Sequence, residues 1–171
     1  MKRVLLTGMS GTGKSTVIRE LARRGYKAID ADSGCWSHWV DLRTGFPAPP
    51  PARGEYGWDE LDWMWREDRI RCLLSIEGPG LLFLAGTSAN QGKFYPRFDQ
   101  VILLSAPAEV LVERLATRRD NRYGTTPRTL ARVLEHLETV EPRMRQTADH
   151  EIDTRAPLEE VVARVLELVQ P

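Results

Sequence analysis

Residues Gly8-Met9-Ser10-Gly11-Thr12-Gly13-Lys14-Ser15 carry the pattern G-x-x-x-x-G-K-S and follow an apolar run, Val4-Leu5-Leu6. The pattern suits a polyphosphate. Gly8, Gly11 and Gly13 let the backbone curl, so that the N–H groups of Ser10, Thr12 and their neighbours face one anion. A helix opening at Lys14 adds the positive end of its dipole. Lys14 would reach the β- and γ-phosphates of a nucleoside triphosphate, and the Ser15 hydroxyl would ligate Mg²⁺. The plain alternative is a glycine turn that binds nothing. The strand signal before it and the amphipathic helix signal after it weigh against that.

Phosphoryl transfer needs positioning and charge neutralisation more than covalent chemistry. Something must also orient an acceptor hydroxyl and take its proton. Asp30 and Asp32 are two apart at the end of a short strand signal, so in extended chain they share a side. One could order the Mg²⁺ water shell while the other accepts the proton. Arg114 and Arg118 are four apart on one predicted helix and share its face. Followed by Arg119 and Arg122, they read as the arginines of a cover over the migrating charge. A solvated basic helix end is the alternative.

The second substrate has its own candidates. Arg66, Arg69 and Arg71 fall in a predicted helix and could grip an anion bidentately. Trp36 and Trp39 lie nearest Asp32 in sequence and could stack a base or a sugar. Thr87, Ser88, Asn90 and Gln91 follow an apolar run and supply uncharged donors and acceptors. They suit hydroxyl or amide recognition, or simple turn chemistry.

The elements that must position these groups alternate. Strand signals fall at 3–7, 26–29, 81–85, 100–104 and 151–153; helix signals fall at 14–24, from Pro107, from Thr126-Pro127 and from Pro157. Pro142 is expected to kink or divide the third of these helices. Gly25 is a plausible C′ stop. Such alternation predicts an α/β fold, a five-stranded parallel sheet with helices on both faces. Ligands then sit beyond the carboxyl ends of the strands, where residues 8–15, 30–33 and 86–92 converge. All five tryptophans lie between Ser33 and Cys72, with the run Phe46-Pro47-Ala48-Pro49-Pro50-Pro51. This stretch reads as a substrate-binding insert, 33–72: a short helix near 36–42, a stiff loop, then a helix from about Asp59, its candidate N-cap, to Ser75.

The 171 residues suit one domain. Lys plus Arg equals Asp plus Glu, at 24 each, which argues against a nucleic-acid surface or an anionic membrane as partner. Cys35 and Cys72 are expected as free thiols, and the three histidines do not cluster into a zinc site. No run is long enough for a signal or transmembrane segment, so a cytoplasmic protein is expected.

Over nearly its whole length the chain resembles the small P-loop kinases, the group of shikimate kinase, gluconate kinase and the nucleoside monophosphate kinases. Gly8 to Thr16 is similar to the group's phosphate loop with its trailing S-T. Asp30-x-Asp32 is similar to the D-x-D of shikimate kinase. The resemblance implies Asp30 near the metal and Asp32 at the acceptor hydroxyl. Arg114-x-x-x-Arg118 looks like the R-x-x-x-R that opens the group's lid, here about 116–128. It implies Arg114 on adenine and Arg118 near phosphate. Ala148-Asp149 to Asp153-Thr154 resembles the last strand and adenine-side loop, with Arg155 next to it. The implied fold is the three-layer P-loop NTPase fold, with core 1–32, 73–115 and 143–171. The implied activity is an ATP- and Mg²⁺-dependent small-molecule kinase, with catalytic Lys14, Asp32 and Arg118.

Departures leave the acceptor open. The glycine triplet of shikimate kinases is here Gly86-Thr87-Ser88. Their R-x-P-L-Y is here Val140-Glu141-Pro142-Arg143-Met144, so the arginine expected on the shikimate carboxylate is missing. A small-metabolite hydroxyl is the leading expectation. A nucleoside monophosphate kinase-like phosphotransferase and a regulatory ATP-binding module are the alternatives.

Overall fold

The computed structural model describes residues 1–33, 35–50, 60–119 and 123–169. Its centre is a five-stranded parallel sheet of β1 (Lys2–Thr7), β2 (Lys27–Asp30), β6 (Leu81–Ala85), β7 (Gln100–Ser105) and β8 (His150–Asp153). The order is β2-β6-β1-β7-β8, with Leu6 paired to Ala85 on one side and to Ile102 on the other. The central strands read as unbroken apolar runs because both faces are covered. Val4 and Leu6 face helices α1 (Lys14–Arg23) and α6 (Leu158–Val169), while Leu5 faces α2 (Glu67–Leu74). Gly25 has φ 89°, the left-handed turn that ends α1.

The expected α/β three-layer fold is therefore present, with strands within a residue or two of the sequence signals. Helix α3 (Ala108–Thr117) follows Pro107. Thr126 caps α4 (Pro127–Thr139) through a capping box with Thr129. The chain then breaks at Val140 before α5 (Glu141–Thr147), so Pro142 divides the helix at its second position.

The insert differs from expectation. Residues 37–41 are a strand, β3 (Ser37–Asp41), rather than a helix. With β4 (Pro47–Ala48) and β5 (Leu61–Trp65) it forms an antiparallel sheet in the order β4-β3-β5. The expected helix over 59–75 is only its second half, 67–74; Asp59 lies outside the described residues. The reason is cross-strand pairing. Trp39 sits opposite Trp63 and Val40 opposite Asp62, and aromatic and β-branched pairs stabilise strands more than helices. The proline-bearing strand β4 takes an edge, where a missing N–H costs nothing.

Candidate active site

The phosphate loop joins the end of β1 to α1. Gly8 is dictated by space: a Cβ there would lie 2.1 Å from the Leu104 carbonyl oxygen, and φ is 148°. Gly13, at φ 88°, swings the chain into α1. Thr12 pins the loop, its hydroxyl donating to the Met9 carbonyl at 2.9 Å. Lys14 is buried, and its ammonium donates to the carbonyls of Gly8 at 2.8 Å and Met9 at 3.1 Å. Burial pulls its pKa down, while Asp32 and Asp30 push back.

Asp30 and Asp32 stand at the end of β2, beside that ammonium. The Asp32 N–H donates to Asp30 Oδ1 at 3.0 Å. The Asp32 carboxylate accepts the Thr87 N–H at 3.0 Å, while the Thr87 hydroxyl donates to the Gly8 carbonyl at 2.5 Å. One residue after β6 thus ties the paired aspartates to the phosphate loop. Burial drives the Asp32 pKa up to about 6, against the opposing pull of Lys14 and the Thr87 N–H. That is a carboxyl poised to change protonation near neutral pH. Gly86 lets the two loops meet: a Cβ there would fall 2.8 Å from Asp32 Oδ1 and 3.2 Å from Trp65 Nε1.

The arginines come from α3 and the residue after it. Arg118 donates to the Ser10 hydroxyl at 3.1 Å. Arg114 spans two loops, reaching the Thr154 carbonyl at 2.6 Å, its hydroxyl at 2.9 Å and the Gly11 carbonyl at 3.4 Å. One cavity of about 1170 Å³ gathers these groups. Residues 9–16, Asp30, Asp32, Trp39, Thr87, Ser88, Gln91, Arg114 and Arg118 all line it. On one side it runs to Thr154, Ala156 and Leu158. On the other it opens between the insert and α4.

Several expected residues do not line this cavity. Trp36 packs on the core around Trp65 and Ile70. Arg66 serves at the start of α2; its backbone N–H donates to the Trp36 carbonyl at 2.7 Å. Arg69 donates to the Cys35 carbonyl, and exposed Arg155 pairs with Asp153. Asn90 grips the backbone of Trp65, its carbonyl oxygen accepting at 3.1 Å and its amide donating at 3.0 Å. Ser88 does both: it lines the cavity and donates to the Trp63 carbonyl at 3.1 Å. Trp36 stands one place before β3, where alternate side chains turn to opposite faces, so helical spacing misplaces it beside Trp39. Arg66, Arg69, Asn90 and Arg155 are instead taken up by the partners just named. Lining residues that sequence reasoning missed are Asp62 and Trp63 of β5, Tyr123, and Arg132 and His136 of α4. The last two, with Val140, recur every four residues, a spacing that marks one helical face.

A glycine-rich loop between strand and helix, with aspartates at a strand end and arginines from a helix facing it, defines a P-loop phosphotransferase. Comparison with known proteins agrees. Residues 4–138 match the AAA domain family. A shikimate kinase of Salinibacter ruber is 32% identical, over 98% of this chain and 84% of its own. Shikimate kinase 2 of Yersinia enterocolitica is 28% identical, over 97% and 94%. In fold, the shikimate kinase of Acinetobacter baumannii in complex with shikimate aligns with a TM-score of 0.66 at 23% identity, over 99% and 93%. A gluconokinase from Sinorhizobium meliloti aligns with a TM-score of 0.55 at 19% identity, over 98% and 95%. The chain belongs to the group of small P-loop kinases. It is an ATP-dependent small-molecule kinase with a hydroxyl acceptor. No helix among the described residues is long and apolar enough to cross a membrane.

Proposed function

We propose that the γ-phosphoryl group passes from ATP to a hydroxyl held between Asp32 and the insert, with Asp32 as the base. The observation that carries this reading is the Asp32 carboxyl, raised to about 6 beside Lys14 and tied by Thr87 to the phosphate loop. The acceptor oxygen bonds to phosphorus, the bond from phosphorus to the β–γ bridging oxygen breaks, ADP leaves, and the acceptor proton goes to Asp32. Lys14 and Arg118 would stabilise charge on the migrating group. Arg114, bound to Thr154 and Gly11, would hold the nucleotide end in register.

The donor set fits Mg²⁺. The Ser15 hydroxyl and the Asp30 carboxylate are hard oxygen donors on the cavity wall. Among the described residues no cluster of three or more His, Cys, Asp or Glu could cage an ion alone, so Ser15 and Asp30 would share it with phosphate oxygens and water. When bound, the ion would neutralise phosphate charge. Val140 lines the cavity where the group's R-x-P-L-Y pattern has an arginine, which supports an acceptor other than shikimate.

The test combines ATP, Mg²⁺ and a metabolite extract, with mass spectrometry for the phosphoryl gain. A phosphorylated product that vanishes in Lys14→Ala is expected. ATP binding with no product from any pool would overturn the reading.

A further inference from the structure

The cavity's acceptor end, between the insert and α4, is built from residues that the phosphate chemistry leaves unused. Trp39 and Trp63 pair across β3 and β5 with ring centroids 4.9 Å apart and planes at 55°. Both line the cavity and present a bent apolar corner. Asp62, Tyr123, Arg132 and His136 line the same cavity. These four are close enough for Arg132 and Asp62 to act on both Tyr123 and His136 in opposite senses. The wall therefore offers a carboxylate acceptor, a guanidinium donor, and an imidazole and a phenol able to do both.

That mixture selects a chemistry. A carboxylate or phosphate calls for converging donors and net positive charge. Here the charges of Asp62 and Arg132 cancel. Burial, then Arg132, hold the His136 imidazole below its ordinary value, hence neutral near pH 7. Arg66 and Arg69, the cations closest in sequence, do not line the cavity. A hydroxyl donates and accepts at once, which matches such a wall. The C–H face of a saturated ring packs on an indole, whereas its rim of hydroxyls needs polar partners. Resting on the kinase reading above, we infer that the acceptor is an uncharged polyhydroxylated ring, a sugar or cyclitol, seated on Trp39 and Trp63 with its hydroxyls read by Asp62, Arg132 and His136. One hydroxyl then faces Asp32 and the phosphate loop.

Binding and transfer are measured separately on the full chain. Intrinsic tryptophan fluorescence is titrated with D-glucose and myo-inositol as neutral rings, with shikimate and gluconate as carboxylates, and with AMP as a phosphate. Phosphoryl transfer to each is followed by ADP release. A neutral ring should change the fluorescence and accept phosphate, and Trp63→Phe should remove most of the fluorescence change. Asp62→Asn and His136→Leu should each raise the acceptor KM about tenfold or more, with kcat and the ATP KM within about twofold. The unchanged ATP KM shows that the variants fold. Transfer to carboxylate or phosphate acceptors alone would overturn the inference and leave the kinase reading standing. So would unchanged acceptor KM in both variants, or the absence of any response to a neutral ring. Neutral rings that bind without being phosphorylated would also overturn the inference, since the ring would then not be the acceptor.

Discussion

The proton of the acceptor hydroxyl needs a base that is ionised at working pH yet basic enough to take it, and Asp32 meets both conditions because burial works against Lys14 and Thr87. The acid limb of kcat/KM should accordingly fall at about pH 6, where Asp32 gains its proton. Asp32→Asn should lower kcat by about 10²–10⁴-fold, flatten that limb and leave ATP affinity nearly unchanged. Lys14→Ala removes the cation from the phosphates, and kcat should fall about 10²–10³-fold in steady-state assays. Gly86→Ala tests contact rather than charge. Its methyl would need the space 2.8 Å from Asp32 Oδ1, so the carboxylate must move. A loss of about a hundredfold in kcat is expected for such a displacement, with circular dichroism confirming the fold.

At the scale of elements, the insert is hung on the core through Trp65. This side chain is fully buried and packs on Phe94 at 5.9 Å, while Asn90 and Ser88 satisfy its backbone. Asn90→Ala would take the amide donor from the buried Trp65 C=O, leaving the Trp65 N–H on Ser88, and cost about 1–3 kcal/mol in urea unfolding. Its effect on acceptor KM should exceed that on ATP KM, because the loosened strand carries Asp62 and Trp63. The legibility of the sequence divides along the same line. Runs such as Leu81–Ala85 and the stripes of α1 and α6 are buried on terms that their own composition states, so the central sheet could be read from the chain. The phosphate loop was legible because its function restricts residue type. The insert was not. Whether Trp39 belongs to a helix or a strand is decided by Trp63, 24 positions away, and local periodicity contains no such information. Asn90 likewise answers to Trp65 of the second sheet, and Arg66 and Arg69 to the carbonyls of Trp36 and Cys35 just ahead of it, none of which local spacing states.

For the whole molecule, the raised pKa of Asp32 links activity to stability. The folded state prefers this carboxyl protonated. Its stabilising contribution is therefore complete below the ordinary value near 3.8 and is lost as pH rises through about 6. Near pH 7 the wild-type fold forgoes about 2–3 kcal/mol by keeping this carboxyl ionised. Asp32→Asn should melt about 5–10 °C higher than wild type at pH 7, and the gap should close as pH falls below about 4. A melting point unchanged at both pH values would remove the linkage. The second sheet has a further bearing on how such a chain can change over generations. The donor loop, Lys14 and the arginines belong to the main sheet and α3, whereas Trp39, Asp62 and Trp63 belong to a separate sheet fastened by the buried Trp65 and by side chains that donate to backbone carbonyls, Ser88 to Trp63, Asn90 to Trp65 and Ser37 to Ala31. On the acceptor site proposed above, substitutions on the outer sheet would retune which alcohol is chosen without touching the machinery that handles ATP. Drift in substrate preference, natural or directed, should therefore concentrate in residues 37–65.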